Sequence, residues 1–223
     1  AGIAAGDINN DGLTDLYFVG NMVPDKLYLN KGNFQFEDIS EKAGIYKMKH
    51  GWHTGVVMAD VNGDNYLDIY VCRGASTEPA EERANLLFVN QKNGTFTEEA
   101  ERYGIADTSY SLMANFFDMD NDNDLDLIVS DRPDAFGIKI EGVVEGRKKA
   151  PYIARSKLFR NNGNQTFTDV TKEMGFGESF GYGLAVTTAD LNGDGYEDIY
   201  FANDFNGNDY CFLNQSGKFF KAK

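Results

Sequence analysis

The sequence predicts an all-β fold made of four tandem repeats, each folding into one four-stranded antiparallel sheet. Two observations support this prediction. Short apolar runs enriched in β-branched and aromatic residues alternate with Gly and Asn, as strands and turns do. In addition, an acidic segment occurs four times, as DINNDGLTDLYFV, DVNGDNYLDIYVC, DMDNDNDLDLIVS and DLNGDGYEDIYFA, beginning at Asp7, Asp60, Asp118 and Asp190.

Each repeat supplies four strands, A to D, which in the second repeat lie in HTGVVMAD, LDIYVC, NLLFVN and GTFTEEA. The acidic segment joins strand A to strand B. A connection of variable length joins B to C, and a second block follows in which an Asn precedes a Phe by six residues. Only the segments after that Phe, such as SEKAG and TKEMG, are expected to form a helical turn. Tandem four-stranded units of this kind predict the blades of a β-propeller.

The predicted organisation is a single β-propeller region spanning residues 1–223. Its repeats cover about residues 1–45, 46–105, 106–176 and 177–223. A helical solenoid is excluded, because it would need longer apolar runs at helical spacing.

Composition excludes several classes of function. With 35 acidic and 21 basic residues, the formal charge of -14 repels nucleic acid and anionic lipid headgroups and favours cations. No apolar run approaches the roughly 18 residues that a membrane-spanning helix needs. Cys72 and Cys211 are too few for a disulfide framework and are expected to be small buried side chains.

The acidic segments have the composition of calcium loops. Oxygen-bearing side chains occupy positions 1, 3, 5 and 9 in all four, and a backbone carbonyl at position 7 would complete an oxygen cage for a hard cation. Position 6 is Gly or Asn, which tolerate the left-handed conformation that such a loop needs. The predicted ligands are Asp7, Asn9, Asp11, Leu13 and Asp15; Asp60, Asn62, Asp64, Tyr66 and Asp68; Asp118, Asp120, Asp122, Asp124 and Asp126; and Asp190, Asn192, Asp194, Tyr196 and Asp198.

The alternative is a set of metal-free Asp, Asn and Gly turns. Three or four carboxylates within nine residues would repel one another without a cation, so about four Ca²⁺, one per repeat, are favoured. Mg²⁺ prefers a tighter octahedron with retained waters, although the sequence leaves exchange between the two ions open. An EF-hand is excluded, because position 12 lacks the Glu ligand and is Phe18, Val71, Val129 or Phe201.

The two blocks together, DxNxDGxxDI(Y)V followed by LYxNxGxxxF, resemble the FG-GAP/VCBS repeats of calcium-binding β-propellers over essentially the whole chain. Integrin α-subunit propellers share the acidic loop, but VGNM, CRGA, SDRP and ANDF after strand B depart from the integrin Gly-Ala-Pro. The LYLN and FxDV(T)xxxG(I) blocks are most similar to repeats of secreted bacterial proteins and of the cartilage acidic protein group. Those proteins carry an ASPIC/UnbV module, which is not visible here. The resemblance implies seven or eight blades. The four repeats form either a four-bladed ring or an arc of a larger propeller, and the arc, with its remaining blades missing here or supplied elsewhere, is favoured.

Ligand recognition is expected at the end of the blades opposite the acidic loops, where the variable B–C connections of residues 73–85 and 131–156 lie. The longer connection carries a basic cluster, which is either a solvated loop or a contact for an anionic ligand or partner. Aromatic residues stand eight positions before the acidic loops. Packing between blades, which the resemblance implies for them, is favoured over a platform for sugars. The candidate residues are Arg147, Lys148, Lys149 and Arg155 in the cluster, the aromatic Trp52, Tyr110 and Tyr182, and the neighbouring His50 and His53.

No catalytic function is predicted. GxSxG, HExxH, P-loop and Rossmann fingerprints are absent, and the sequence places no orienting acid or nucleophile beside His53. The predicted function is a calcium-stabilised binding, adhesion or assembly module with a protein or glycan partner. Its expected location is extracellular or at the cell surface, with the periplasm as an alternative. A propeller-type polysaccharide lyase or hydrolase and a structural subunit of an envelope complex remain alternative functions.

Overall fold

The computed structural model describes residues 2–21, 23–45, 51–74, 79–132, 156–176, 182–204 and 208–222. These residues form four antiparallel sheets of four strands, and in each sheet the strands follow chain order. We call the sheets blades 1 to 4. The all-β fold with four four-stranded blades is therefore confirmed. No helix in the described part of the chain is long and apolar enough to cross a membrane.

The strands agree with the predicted A, B, C and D of each repeat. Blade 1 comprises β1 (Ile3–Gly6), β2 (Asp15–Phe18), β3 (Lys26–Asn30) and β4 (Phe36–Asp38). Blade 2 comprises β5 (His53–Ala59), β6 (Asp68–Arg73), β7 (Leu86–Asn90) and β8 (Phe96–Glu98). Blade 3 comprises β9 (Ser111–Phe117), β10 (Asp126–Asp131), β11 (Lys157–Asn161) and β12 (Phe167–Asp169). Blade 4 comprises β13 (Tyr182–Ala189), β14 (Asp198–Asp204), β15 (Tyr210–Asn214) and β16 (Phe219–Lys221).

Two short helices lie in blade 2 connections. Helix α2 (Ala100–Tyr103) follows the block Phe, where a helical turn was predicted, and ends at Gly104, whose left-handed φ of 78° closes the turn. Helix α1 (Ala80–Arg83) lies in the B–C connection, where the sequence analysis expected none. It forms because its residues favour helix and because acidic side chains occupy its first turn.

The chain divides into two compact units, Ala1–Thr108 and Ser109–Lys223. The first contains blades 1 and 2, and its core joins Tyr17 and Leu27 of blade 1 to Ile69 and Val71 of blade 2.

The second unit contains blades 3 and 4, and its core joins Ile128 and Leu158 to Ile199, Phe201 and Phe212. In both units, side chains on one face of the first blade pack against side chains of the second blade. Both cysteines have free thiols. Cys72 is buried as predicted, whereas Cys211 is only half-buried.

Candidate metal centre

The Asp at position 9 holds each acidic loop in place by accepting two backbone hydrogen bonds. We call Asp15, Asp68, Asp126 and Asp198 the anchor aspartates, and all four are buried. One carboxylate oxygen accepts the backbone N–H of position 2, at 3.0 Å from Ile8 and at 2.9 to 3.1 Å in the other loops. The other oxygen accepts the backbone N–H of the block Asn at the end of strand C, at 2.7 to 2.8 Å. One side chain therefore fixes the ends of strands A and C against the start of strand B.

The block Asn completes this support. Its side-chain amide donates to the position 8 carbonyl of its own loop, as Asn90 does to Leu67 at 3.1 Å. Its side-chain oxygen accepts a backbone N–H of the following hairpin, as Asn90 does from Lys92 at 2.9 Å. The same bonds are made by all four block asparagines, Asn30, Asn90, Asn161 and Asn214. Each acidic loop is thus tied to the C–D hairpin of its own blade.

The position 1 carboxylate organises the top of each loop. Asp7 accepts the backbone N–H of Gly12 at 2.7 Å with one oxygen and that of Asp11 at 3.2 Å with the other. Asp60, Asp118 and Asp190 make the equivalent bonds. Backbone hydrogen bonds lower the pKa of Asp190, and the bond from the Gly195 N–H makes the largest contribution.

The loop conformation depends on left-handed residues at two positions. Position 6 has φ between 68° and 89° in all four loops, as its Gly and Asn residues predicted. Position 4 is also left-handed, with φ between 59° and 77°, which the sequence analysis did not anticipate. The position 4 residues are Asn10, Gly63, Asn121 and Gly193.

Three predicted ligands converge in the third loop. Asp118, Asp120 and Asp126 each place one carboxylate oxygen within 4.8 Å of the others, and this is the one such acidic group among the described residues. Position 7 of this loop is Asp124, whose side chain adds a further carboxylate. Asp120 Oδ1 and Asp124 Oδ1 are buried and accept no hydrogen bond from the described residues. The third loop therefore brings its carboxylate oxygens closer together than the other described acidic loops do.

In the first and fourth loops the side chains at positions 3 and 5 are hydrogen-bonded to each other. The amide of Asn9 donates to the Asp11 carboxylate at 3.0 Å, and Asn192 makes the same bond to Asp194 at 3.0 Å. In the first, second and fourth loops, the position 3 oxygen accepts the position 5 backbone N–H at 2.9 to 3.2 Å. In all four loops, the residue at position 7 (Leu13, Tyr66, Asp124 or Tyr196) donates its N–H to position 5, at 2.8 to 3.0 Å.

Burial raises the pKa of several carboxylates in these loops, and neighbouring acids raise it further. Burial, with smaller contributions from neighbouring acids, raises the pKa of the anchor Asp68 and of Asp126 to about 7. Burial and the adjacent Asp122 raise the pKa of Asp124 to about 6, and burial also raises that of Asp120. Burial penalises the ionised form of each of these carboxylates, and at Asp120 the positive charge of Arg160 offsets part of the shift.

The block Asn of the second blade in each unit also reaches the acidic loop of the preceding blade. The amide of Asn90 donates to the carbonyl of Ile8, in the loop of the preceding blade, at 2.8 Å. In the second unit Asn214 donates to the carbonyl of Met119 at 2.7 Å.

The opposite end of the blades has its own repeated polar contact. Asp25 at the entrance of β3 accepts the Tyr17 hydroxyl at 2.6 Å and the Gly20 N–H at 2.7 Å. Asp209 makes the same pair of bonds in blade 4, to the Tyr200 hydroxyl and the Asn203 N–H. In blade 1 this Asp additionally accepts a hydrogen bond from His53.

His53 lies buried between blades 1 and 2. Its Nδ1 is 2.7 Å from both carboxylate oxygens of Asp25, and its Nε2 has no hydrogen-bond partner among the described residues. Asp25 therefore supplies the orienting acid that the sequence did not reveal, because the two residues are 28 positions apart. The burial of the imidazole keeps it from an approaching substrate.

The predicted aromatic residues have different environments. Trp52 is exposed, Tyr110 is buried, and Tyr182 is half-buried. The guanidinium of Arg132 lies over the Tyr110 ring, 5.4 Å from its centroid. The burial of Tyr110 favours the packing role over the sugar platform. The remaining candidates, His50, Arg147, Lys148, Lys149 and Arg155, lie outside the described residues.

The sequence analysis assigned no role to the block Asn, to position 4 or to Asp25. The signal for the block Asn was present, because it recurs at a fixed distance from the block Phe in every repeat. What it bonds could only be seen once the strands were paired.

Comparison with known families agrees with the repeated geometry. The family described as FG-GAP-like repeat matches residues 4–71 and 151–201, which together make up more than half of the chain. The matched segments contain the first, second and fourth acidic loops. No curated protein matches the chain significantly. With four-stranded blades, repeated acidic loops and a match of this extent, the chain belongs to the FG-GAP-like repeat family.

Proposed function

We propose that the chain is a calcium-binding FG-GAP module whose acidic loops hold about four Ca²⁺, one in each loop. The third loop supports metal binding most directly, because Asp118, Asp120 and Asp126 bring their carboxylate oxygens within 4.8 Å of one another. Such convergence is costly for ionised groups unless a cation lies between them.

The donor set of the third loop fits a hard cation. Calcium takes six to eight oxygen ligands, and this loop offers carboxylates at positions 1, 3, 5, 7 and 9. The buried, unpartnered oxygens of Asp120 and Asp124 are the atoms that gain most from a positive charge. Bound calcium supplies that charge, while the anchor Asp126 keeps both backbone hydrogen bonds that hold the loop in shape.

The third loop is proposed to bind calcium more tightly than the first and fourth. In those loops the position 3 amide already donates to the position 5 carboxylate, as in Asn9 and Asp11. Freeing that position 5 carboxylate for a cation breaks a hydrogen bond, whereas position 3 of the third loop is Asp120, which has no amide to donate to Asp122. Ligand charge also rises with the number of carboxylates, which increases affinity.

The proposed role of the module is binding, adhesion or assembly outside the cell or at its surface. FG-GAP repeats occur in extracellular and cell-surface proteins and are typically non-catalytic binding modules. Recognition is assigned to the B–C connections, because length variation is concentrated there while the acidic loops keep one geometry. Exposed Trp52 lies at the same end of blade 2 as these connections. The partner is proposed to be a protein or a glycan.

Titration calorimetry of the metal-free protein with CaCl₂ tests the metal sites. We expect about four bound ions, a higher melting temperature in calcium than in EDTA, and one tighter site. The variant Asp120→Asn gives the third loop the position 3 residue of the other loops and should weaken the tighter site alone. Asp169→Asn, in β12 outside any acidic loop, is the matched control. Absence of binding heat together with an unchanged melting curve in EDTA would refute calcium binding.

The recognition role is tested separately by screening calcium-loaded protein against glycan and protein arrays. Binding that is lost in Trp52→Ala but kept in Phe34→Ala, an exposed aromatic residue in a C–D hairpin, would support recognition at the B–C end. Depolymerisation of a glycan on the array would instead support the enzymatic alternative.

A further inference from the structure

Each C–D hairpin has a left-handed residue two positions after its block Asn. The φ of this residue lies between 53° and 77° in the four blades. The residues at this position are Gly32, Lys92, Gly163 and Ser216. Lys92 is thus the one cationic residue of the set, and its backbone has a conformation that favours glycine.

Lys92 directs its ammonium group toward the second acidic loop. Its Nζ lies 3.3 Å from Oδ2 of Asp64, the predicted ligand at position 5, and 5.5 Å from the centroid of the Tyr66 ring at position 7. The backbone N–H of Lys92 donates to the block residue Asn90, whose amide also holds this loop. The hairpin therefore presents a positive charge to a carboxylate that the loop would offer to calcium.

The equivalent glycine of blade 3 faces its own acidic loop in the same way. A Cβ atom at Gly163 would lie 3.7 Å from Oδ2 of Asp124, which occupies position 7 of the third loop. This is the loop position that Lys92 approaches in blade 2. The two hairpins therefore place the same position beside the loop, with a cation in blade 2 and no side chain in blade 3.

The position 5 carboxylate has a different kind of partner in the second loop than in the first and fourth. In those two loops its Oδ2 accepts a hydrogen bond from the neutral amide of position 3, at 3.0 Å in both. In the second loop Oδ2 of Asp64 pairs with the charged ammonium of Lys92. Because two positive charges beside one carboxylate repel each other, calcium and this ammonium compete for Asp64.

We propose that Lys92 is a tethered cation that pairs with the second loop when calcium is absent and competes with calcium for Asp64. Its ammonium compensates the carboxylate of the metal-free loop, and its flexible stem lets it move into solvent when the ion binds. Lys92 thereby lowers the calcium affinity of the second loop by about two- to fivefold, the range expected for one exposed ion pair. This inference rests on the proposed calcium sites and adds a residue that weakens one of them.

Calcium titration followed by amide NMR tests the proposal loop by loop. The N–H groups of Asn65 and Asn123 donate to the position 1 carboxylates of the second and third loops, so their signals report the two loops separately. Lys92→Met removes the charge and keeps a long side chain, and should raise the calcium affinity of the second loop about two- to fivefold. Gly163→Lys transfers the cation to the third loop and should lower the calcium affinity of that loop.

Lys31→Met is the matched control. Lys31 is an exposed lysine of the blade 1 hairpin whose Nζ lies 3.9 Å from Glu37 in β4, so this variant removes the same charge away from the second loop. It should leave the calcium affinity of the second loop unchanged. In EDTA, Lys92→Met should lower the melting temperature more than Lys31→Met does, because the metal-free loop loses its counter-charge.

The outcomes separate this inference from the proposed function. If the loops bind calcium but the affinity of the second loop is the same in Lys92→Met as in the parent chain, the inference alone is overturned. Equal changes in Lys92→Met and Lys31→Met also overturn it, because they indicate an effect of net charge. If no loop responds to calcium, the proposed function and this inference are both wrong.

Discussion

The side-chain amide of Asn10 donates a hydrogen bond to the backbone carbonyl of Asn65, 2.8 Å away in the acidic loop of the next blade. Asn121 makes the equivalent bond to the Gly195 carbonyl at 3.1 Å. In both pairs the donor occupies position 4 and the acceptor position 6, and all four residues are left-handed. The shape of one acidic loop therefore depends on that of its neighbour.

Replacing Asn10 by Gly should weaken this connection without disturbing the loop, because Gly63 and Gly193 occupy position 4 elsewhere. We expect the free energy of unfolding to fall by about 0.5–1 kcal/mol, the net value of one hydrogen bond. We also expect calcium binding at the first two loops to become less cooperative. Urea denaturation in EDTA and calcium titration measure the two effects. Asn33→Gly, at a left-handed Asn in a C–D hairpin, is the control, and an equal loss in both variants would contradict the prediction.

Removal of the block Asn should be more costly in blade 2 than in blade 1. Asn90→Ala leaves the buried carbonyl of Ile8 and the partly buried carbonyl of Leu67 without their donor, for which we expect a loss of about 2–3 kcal/mol in unfolding free energy. Asn30→Ala removes one amide contact, to Thr14, and should cost about 1 kcal/mol. Urea denaturation of the two variants under identical conditions gives the comparison. Equal losses would show that the contact with the preceding blade contributes no stability.

The pair of Asp25 and His53 predicts a position-dependent effect of Asp→Asn. Asp25→Asn turns an amide group toward donors in a buried site, and we expect the free energy of unfolding to fall by about 3 kcal/mol. In blade 4 the same repeat position is Asp209, which is exposed and has no equivalent of His53 among the described residues. Asp209→Asn should therefore lower the free energy of unfolding by less. Thermal and urea unfolding of both variants decide between these outcomes. An equal loss would assign the effect to the Tyr and backbone contacts that the two positions share.

Asp38 should respond to acid differently from an ordinary carboxyl group. The hydrogen bond from Lys26, with a second from Ser40, lowers the pKa of Asp38 from 3.8 to about 2. Because the folded-state pKa lies below the unfolded value, this group stabilises the fold above about pH 4, and the contribution is lost as the pH falls toward 2. The stabilisation is small, since both side chains are partly exposed.

Carboxyl NMR titration measures this pKa directly. In Lys26→Met the main donor is removed, so the pKa of Asp38 should rise toward 3.8. An unchanged pKa in this variant would assign the shift to Ser40 instead.

The repeats, the four strands of each blade and the left-handed residue at position 6 could be predicted from the sequence, because each depends on residues close together in the chain. The acidic loop is the clearest case, since its internal hydrogen bonds span nine residues. Spacing alone was enough to place these residues on one turn.

The remaining features depend on contacts between distant residues. Asn10 and Asn65 are 55 positions apart, so no local pattern marks position 4 as a link between loops. Asp25 and His53 meet only because blade 2 packs on blade 1. Helix α1 was missed for a different reason, since AEER has good helix propensity but is too short to give a periodic signal.

The hydrogen bonds of the anchor aspartates have a consequence for how such a chain can lengthen. Every bond of Asp68 connects residues of its own repeat, whereas the amide of Asn90 reaches the preceding one. A duplicated gene segment encoding one repeat would therefore bring its own loop support, together with an amide that can donate to the copy before it. Insertions in the B–C connection touch none of these bonds. The number of repeats and the length of that connection can thus change independently during evolution, while the loop itself stays constant.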